Sequence, residues 1–228
     1  MECIILVGGL GTRLKEIVGN IPKPMATVSG SPFLTYILNH LLQQGFMKAI
    51  LSVGYNYQYI EEYYGNKFGE LDLIYAVEKE PLGTGGAIIN SLKYSTMQSI
   101  IVINGDTLFK INYKALIDYH KTHQADLTIA LKKVTNSSRY GSVKLKNHRI
   151  VGFSEKQNNG EGLISGGVYN FHTELFDNLM LPEKFSIETD FFEKYFGLLN
   201  IFGFQTDADL LDIGTPEDYY RAQVELTE

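Results

Sequence analysis

A lone cysteine, Cys3, leaves no partner for an intrachain disulfide, and its place in an apolar run suits a small buried hydrophobe. No apolar run reaches the roughly 18 residues that a membrane span needs. The N-terminus has no basic stretch ahead of its first apolar residues, so no secretory signal is expected. Positive charge is in deficit, with 20 Lys and Arg against 26 Asp and Glu and a formal net charge of −6. That balance excludes a general nucleic-acid surface and confines any anion site to a local patch. The five histidines, His40, His120, His123, His148 and His172, share no metal-ligand spacing and no paired nucleophile. No Pro/Ser-rich linker, low-complexity tract or internal repeat interrupts the 228 residues. These absences fit a cytoplasmic protein of one domain with a sizeable core.

Two phosphate-binding signatures are missing as well. No Gly-Lys-Ser/Thr occurs, which rules out a P-loop. Gly9-Leu10-Gly11-Thr12-Arg13-Leu14 ends in leucine where a dinucleotide fingerprint has its third glycine. What stands there instead is an apolar strand, Cys3–Val7, that opens into Gly8-Gly9-Leu10-Gly11-Thr12-Arg13 and is followed by Pro22-Lys23-Pro24-Met25. Glycines let backbone N–H groups approach a ligand, and successive N–H groups make a concave anion site. Arg13 adds a permanent delocalised cation. Lys23, between two prolines, is expected on stiff extended backbone as a positioned point charge.

The chain then alternates strand and helix. Ser31-Pro32 is expected to open a helix running to about Gln44. Strands follow at Ala49–Val53, Leu71–Val77, Ser99–Ile103 and Leu127–Val134. Helices are expected at Tyr57–Tyr64, from Thr84 as cap to Leu92, and from Asn112 as cap to about His123. This predicts an α/β fold, a Rossmann-like, mainly parallel sheet with helices on both faces. In such sheets ligands bind at the carboxyl ends of strands. Beyond about residue 136 the pattern changes. Short strands at Gly141–Leu145 and Ile150–Ser154 read as a hairpin, and a strand at Ile164–Phe171 is broken by Ser165-Gly166-Gly167. Helices are expected at Thr173–Leu179 and Glu188–Leu199, strand pieces at Ile201–Gln205 and Leu210–Leu211, and a final helix from the capping box at Thr215.

The glycine loop and Pro22-Lys23-Pro24-Met25, with Glu80-Pro81-Leu82-Gly83-Thr84-Gly85-Gly86-Ala87, Asn104-Gly105-Asp106, Glu155-Lys156 and Asp212-Ile213-Gly214-Thr215-Pro216-Glu217-Asp218, resemble the sugar-1-phosphate nucleotidyltransferases. The blocks stand in that family's order across nearly the whole chain. The resemblance implies a nucleotide-diphospho-sugar transferase type of fold, with residues up to about 135 binding nucleotide. The remainder would carry the sugar and a small antiparallel insertion, with no appended left-handed β-helix. It implies GTP and a sugar 1-phosphate as substrates and Mg2+ as cofactor. Its strongest likeness is to bacterial guanylyltransferases of manno-configured sugars, D-glycero-α-D-manno-heptose 1-phosphate in particular. Mannose 1-phosphate, or uridylyl transfer to another sugar, is the alternative chemistry. A catalytically silent nucleotide-sugar sensor, which need not keep two metal carboxylates, is the alternative of another class. An oxidoreductase lacks the required fingerprint. The oligomeric state stays open, a homo-oligomer included.

By that resemblance Leu6, Gly8, Gly9, Gly11, Thr12 and Arg13 hold the nucleotide, together with Glu78, Glu80, Leu82, Gly83 and Thr84. Arg13, Lys23 and Asp106 are the catalytic set, and Asp106 and Asp212 bind the metal. A carboxylate can accept from guanine N1 and N2, which makes Glu78 and Glu80 the two candidates for base selection. A backbone N–H in Leu82-Gly83-Thr84 can donate to O6. Gly141, Glu155, Lys156, Ser165, Gly167 and Glu188, with Asp190 in reserve, face the sugar. Tyr140 and Tyr169 are expected in the core, and the tyrosines at 57, 59, 63 and 64 are expected to pack or to rim the site.

Overall fold

The computed structural model describes residues 1–9, 14–137, 141–154 and 160–226. At its centre the Glu2–Leu6 strand runs between two parallel neighbours, Lys48–Val53 on one side and Ser99–Asn104 on the other. Its residues alternate between two cores. Cys3 and Ile5 face a cluster with Phe33, Leu34, Ile37, Leu38 and Leu41 of the Phe33–Gln43 helix. Ile4 faces the opposite cluster, with Ile88, Phe185, Phe191 and Phe192. A strand buried on both faces reads as an unbroken apolar run. Full burial of Ile4 and Ile5 contributes about 1.5–3 kcal/mol each, so the strand that carries the glycine loop is firmly anchored. Burial also pushes the Cys3 thiol well above its ordinary range, and it stays an inert hydrophobe.

Among the described residues the main sheet has ten strands. Leu71–Val77 continues the parallel half beyond Lys48–Val53. On the other side the sheet turns mixed: Gly162–His172 lies antiparallel to both Ser99–Asn104 and Leu127–Val134, and Ile201–Thr206 pairs parallel with Leu127–Val134. The hairpin of Ser142–Lys146 and Arg149–Ser154 turns through Asn147 and His148, both at positive φ, as a two-residue primed turn requires. Helices lie on both faces, and no described helix is long and apolar enough to cross a membrane.

Several local expectations change. Ser31-Pro32 does not open the helix but forms a two-residue strand against Thr27–Val28, and the helix starts at Phe33. Lys23 is not extended. It opens a 3-10 turn, Lys23–Met25, closed by Met25 N–H to Pro22 O at 2.8 Å. Pro24 fits there because a first-turn residue needs no N–H donor. Gly162–His172 is one strand, and Ser165-Gly166-Gly167 make a bulge within it rather than a break. Thr173–Phe176 is 3-10. The expected Glu188–Leu199 helix begins as a π-helix, Ile187–Phe192, and continues as α only over Glu193–Tyr195. The adjacent Phe191 and Phe192 are both fully buried, and the wider turn lets neighbours share one core. Asn112 and Thr215 cap their helices as their residue types predict, accepting from Ala115 N–H and Asp218 N–H.

Candidate active site

The carboxyl ends of the three central parallel strands and the turns beyond them form one edge, and there distant residues meet. Gly105 makes the first junction. Its N–H donates to Leu6 O at 2.9 Å, and a Cβ there would lie 2.6 Å from that same oxygen. Only glycine allows the approach, which turns the chain so that Asp106 emerges beside the end of the first strand. Thr107–Phe109 then pairs antiparallel with Leu210–Asp212, with Thr107 opposite Asp212. Ile213 N–H donates to Asp106 O at 3.0 Å. The two aspartates, 106 residues apart in sequence, therefore sit on adjacent ends of one small ladder.

Lys23 reaches this point from its 3-10 turn. Its ammonium lies 2.5 Å from Asp106 Oδ2, with the lysine side chain 15% and the aspartate side chain 36% exposed. Asp106 Oδ1 accepts from Thr107 Oγ1 at 3.2 Å. Asp212 Oδ1 accepts from Gly214 N–H at 2.7 Å. A Cβ on Gly214 would touch that oxygen and come within 3.9 Å of Lys23 Nζ, so ammonium and second carboxylate crowd the same glycine. A carboxylate pair that already holds a cation on one oxygen suits a hard divalent ion, which takes one or two carboxylates and fills its shell with phosphate and water. Among the described residues there is no cluster of three or more metal-type side chains, so Asp106 and Asp212 would hold such an ion only together with substrate oxygens.

Beside this centre opens a cavity of about 990 Å³. Leu6, Gly8 and Gly9 line it from the first strand, Glu78, Glu80, Gly83 and Thr84 from the loop after Leu71–Val77. Space at Gly8 is tight: a Cβ there would come 3.3 Å from Gly54 N and 3.4 Å from Glu78 Oε1. The Glu78 carboxylate is held in place, accepting from Ser52 Oγ at 3.3 Å and from Leu82 N–H at 3.1 Å. Glu80 is exposed. The Leu82 N–H is thus engaged with Glu78, and Leu82 itself is the N-cap position of the Gly83–Leu92 helix. No side chain caps that helix, so its first N–H groups, at Gly83 and Thr84, are the ones left to face a ligand.

Thr84 is not the cap. It lies inside the first turn, where its Oγ1 accepts from Ile187 N–H at 2.8 Å and donates to Glu188 Oε2 at 3.4 Å. Glu188 also accepts from Tyr169 Oη at 3.0 Å and Ser186 Oγ at 3.2 Å. Burial, and then the facing carboxylate of Glu188, raise the Tyr169 phenol well above its ordinary range, which keeps it a donor. Tyr169 is a core residue as expected, with a polar end that the sequence pattern did not expose. The three glycines of Gly83-Thr84-Gly85-Gly86 serve this same junction. Cβ atoms on Gly83 and Gly85 would collide with Phe185, and one on Gly86 with Glu183 O, while Phe185 exchanges backbone bonds with Leu82 and Gly85 at 3.0 and 2.9 Å.

On the other side, Ser165 Oγ accepts from Gly167 N–H at 3.3 Å. Gly167 has φ +68, and a Cβ there would strike the Asn104 amide. Gly141 is exposed at the start of the hairpin. Asp190 accepts from Ser186 N–H and Lys194. Gly11, Thr12, Arg13, Tyr140, Glu155 and Lys156 lie outside the described residues. Tyr57 lines the large cavity, in keeping with its expected place in the packing or the rim, but the sequence reading missed its neighbours Tyr55, Asn56 and Gln58, which line it too. Their only signal was their place after a parallel strand. Tyr57 also packs against the core, Tyr64 is buried and Tyr59 and Tyr63 are exposed.

Known proteins match this arrangement over its full extent. The chain matches the Nucleotidyl transferase family over residues 2–228. It is 46% identical to the D-glycero-alpha-D-manno-heptose 1-phosphate guanylyltransferase of Aneurinibacillus thermoaerophilus, over 99% of this chain and 98% of that one. It is 42% identical to the enzyme of that name from Campylobacter jejuni, over 96% and 97%. The crystal structure of HddC from Yersinia pseudotuberculosis complexed with GMP-PN superimposes with a TM-score of 0.89 at 38% identity, covering 99% of each chain.

Proposed function

The chain belongs to the nucleotidyl transferase family, and we propose that it transfers GMP from GTP to D-glycero-α-D-manno-heptose 1-phosphate, releasing pyrophosphate and forming a GDP-heptose for surface polysaccharide synthesis in the cytoplasm. The observation that carries the reaction class is the Lys23 ammonium on Asp106, with Asp212 on the next strand end. The names of the two relatives above support the nucleotide and the sugar.

An oxygen of the sugar phosphate attacks the α-phosphorus of GTP. The bond from that phosphorus to the α,β-bridging oxygen breaks, and pyrophosphate leaves with the electron pair. The nucleophile is already anionic, so no general base is needed. Charge neutralisation and in-line placement are what the site must supply. Lys23, drawn from Asp106 to the α-phosphate, lowers the repulsion between the two anions. Arg13 serves the β- and γ-phosphates, and Lys156 the sugar phosphate. Asp106 and Asp212 would hold Mg2+, which when bound adds positive charge at the phosphates. Glu78, fixed by Ser52 and Leu82, accepts from guanine N1 and N2, and the Gly83 or Thr84 N–H donates to O6. Glu188, fixed by three hydroxyls, receives sugar hydroxyls together with Glu155.

A matrix of four nucleoside triphosphates against the heptose, mannose and glucose 1-phosphates, read by pyrophosphate release, tests this. The expected maximum is GTP with the heptose. A maximum with UTP would overturn the base assignment, and no release with any pair would favour a sensor.

A further inference from the structure

The parallel strands Lys48–Val53 and Leu71–Val77 end level, with Val53 the register partner of Val77. The turns beyond them leave the sheet side by side. One carries Glu78, whose N–H donates to Val53 O at 2.8 Å. The other is Gly54-Tyr55-Asn56-Tyr57, closed by Tyr57 N–H to Gly54 O at 3.2 Å. Asn56 has φ +60, the left-handed backbone that a type II turn requires at that position and that asparagine tolerates better than most residues. Both turns line the large cavity, together with Gly8 and Gly9.

The second turn is pinned on three sides. Gly54 N lies 3.3 Å from where a Cβ on Gly8 would stand. Asn56 Nδ2 donates to Asn20 O at 3.1 Å, and Tyr57 packs against the core. Tyr55 stands between these anchors and is 77% exposed. Among the described residues its ring meets no other aromatic and its hydroxyl makes no hydrogen bond. Of the exposed large hydrophobic side chains among the described residues, Tyr55 and Val77 are the two that line this cavity. A fixed backbone thus presents an unengaged aromatic ring to the space beside Glu78. Every nucleobase has a π-face, so such a ring binds any base by stacking, and a neighbouring polar group has to supply the choice between bases.

We propose that Tyr55 is a nucleotide-binding residue whose ring stacks on the base that Glu78 reads at its edge. The proposal rests on the nucleotidyl transfer reading above and divides the work within it: Tyr55 sets affinity for any nucleoside triphosphate, and Glu78 sets the preference among them.

Isothermal titration of the full chain with magnesium measures Kd for GTP, UTP and inorganic tripolyphosphate, which has the phosphates but no base. It compares wild type, Tyr55→Ala and Tyr55→Phe. The expected result is that Tyr55→Ala weakens GTP and UTP by similar factors, about tenfold, leaves tripolyphosphate unchanged, and that Tyr55→Phe binds all three as wild type does. Tm confirms that the variants fold. Unchanged GTP binding in Tyr55→Ala overturns the stack, and so does an equal loss for tripolyphosphate, which would give Tyr55 a role in shaping the loop. A wild type that binds UTP more tightly than GTP overturns the guanine reading, while base-dependent loss in Tyr55→Ala would still uphold the stack. A wild type that binds neither nucleotide overturns the nucleotidyl transfer reading, and the stack with it.

Discussion

Lys23 and Asp106, 83 residues apart in the chain, meet as an ion pair of 2.5 Å just beyond the end of the first strand. The pair is partly open to solvent, so its contribution to folding is small, about 0–1 kcal/mol. Its placement at converging strand ends points to a role in binding phosphate.

Asp106→Asn and Asp212→Asn should each lower kcat by about two to three orders of magnitude, with Tm within a few degrees of wild type. Steady-state rates across a magnesium titration check this. Near-normal turnover in either variant at ordinary magnesium would remove that aspartate from the metal pair.

Glu78 is held beside Gly8 by Ser52 and the Leu82 N–H, and on the proposed function it is the acceptor for guanine donors. Glu78→Gln should cut the preference for GTP over UTP by about tenfold or more, since an amide offers guanine N1 and N2 one acceptor in place of two. If Glu80→Gln produces the loss instead, Glu80 reads the base.

Thr84 joins the loop after Leu71–Val77 to Ile187 and Glu188, and so, on the proposed function, the nucleotide to the sugar. Thr84→Val leaves the Ile187 N–H without an acceptor, a cost of about 1–3 kcal/mol, and frees Glu188. It should lower Tm by several degrees and raise KM for the sugar phosphate more than KM for GTP, while Thr84→Ser restores both. Equal changes in the two KM values would deny the coupling.

Much of this was legible in the sequence because it rests on local rules. The buried central strand shows as an apolar run, and Asn112 and Thr215 cap their helices by residue type. Asp106 and Asp212 each end such a run and therefore emerge at a strand end. Other features depend on what a residue meets across the fold. Pro24 argued for extended backbone at Lys23, yet the turn tolerates it. Thr84 looked like a cap because its tertiary partner, the Ile187 N–H, lies more than 100 residues on. From sequence the Gly83–Gly86 segment reads only as part of a nucleotide-binding loop, whereas its glycines' lack of side chains makes room for Phe185 and Glu183. Glu188 was picked as a sugar residue without any sign that Tyr169 would anchor it.

His120 is buried, with Nδ1 2.9 Å from Thr128 Oγ1 and the His172 ring 5.4 Å away. Burial, reinforced by His172, lowers its pKa to about 4. The unfolded chain takes up this proton near pH 6.5 while the fold resists it, so stability is full above that pH and falls as pH drops toward 4. The loss should be roughly 2–3 kcal/mol at pH 4.5, or several degrees of Tm. His120→Gln should flatten that part of the Tm profile, and an unchanged profile would assign the acid loss to other groups.

The central claim is attack at the α-phosphorus of GTP, and paired isotope labelling tests it most directly. With heptose 1-phosphate and magnesium, label from [α-32P]GTP should appear in the sugar nucleotide and label from [γ-32P]GTP in pyrophosphate. Label from the γ-position on the sugar, or α-label confined to free guanine nucleotide, would contradict the account.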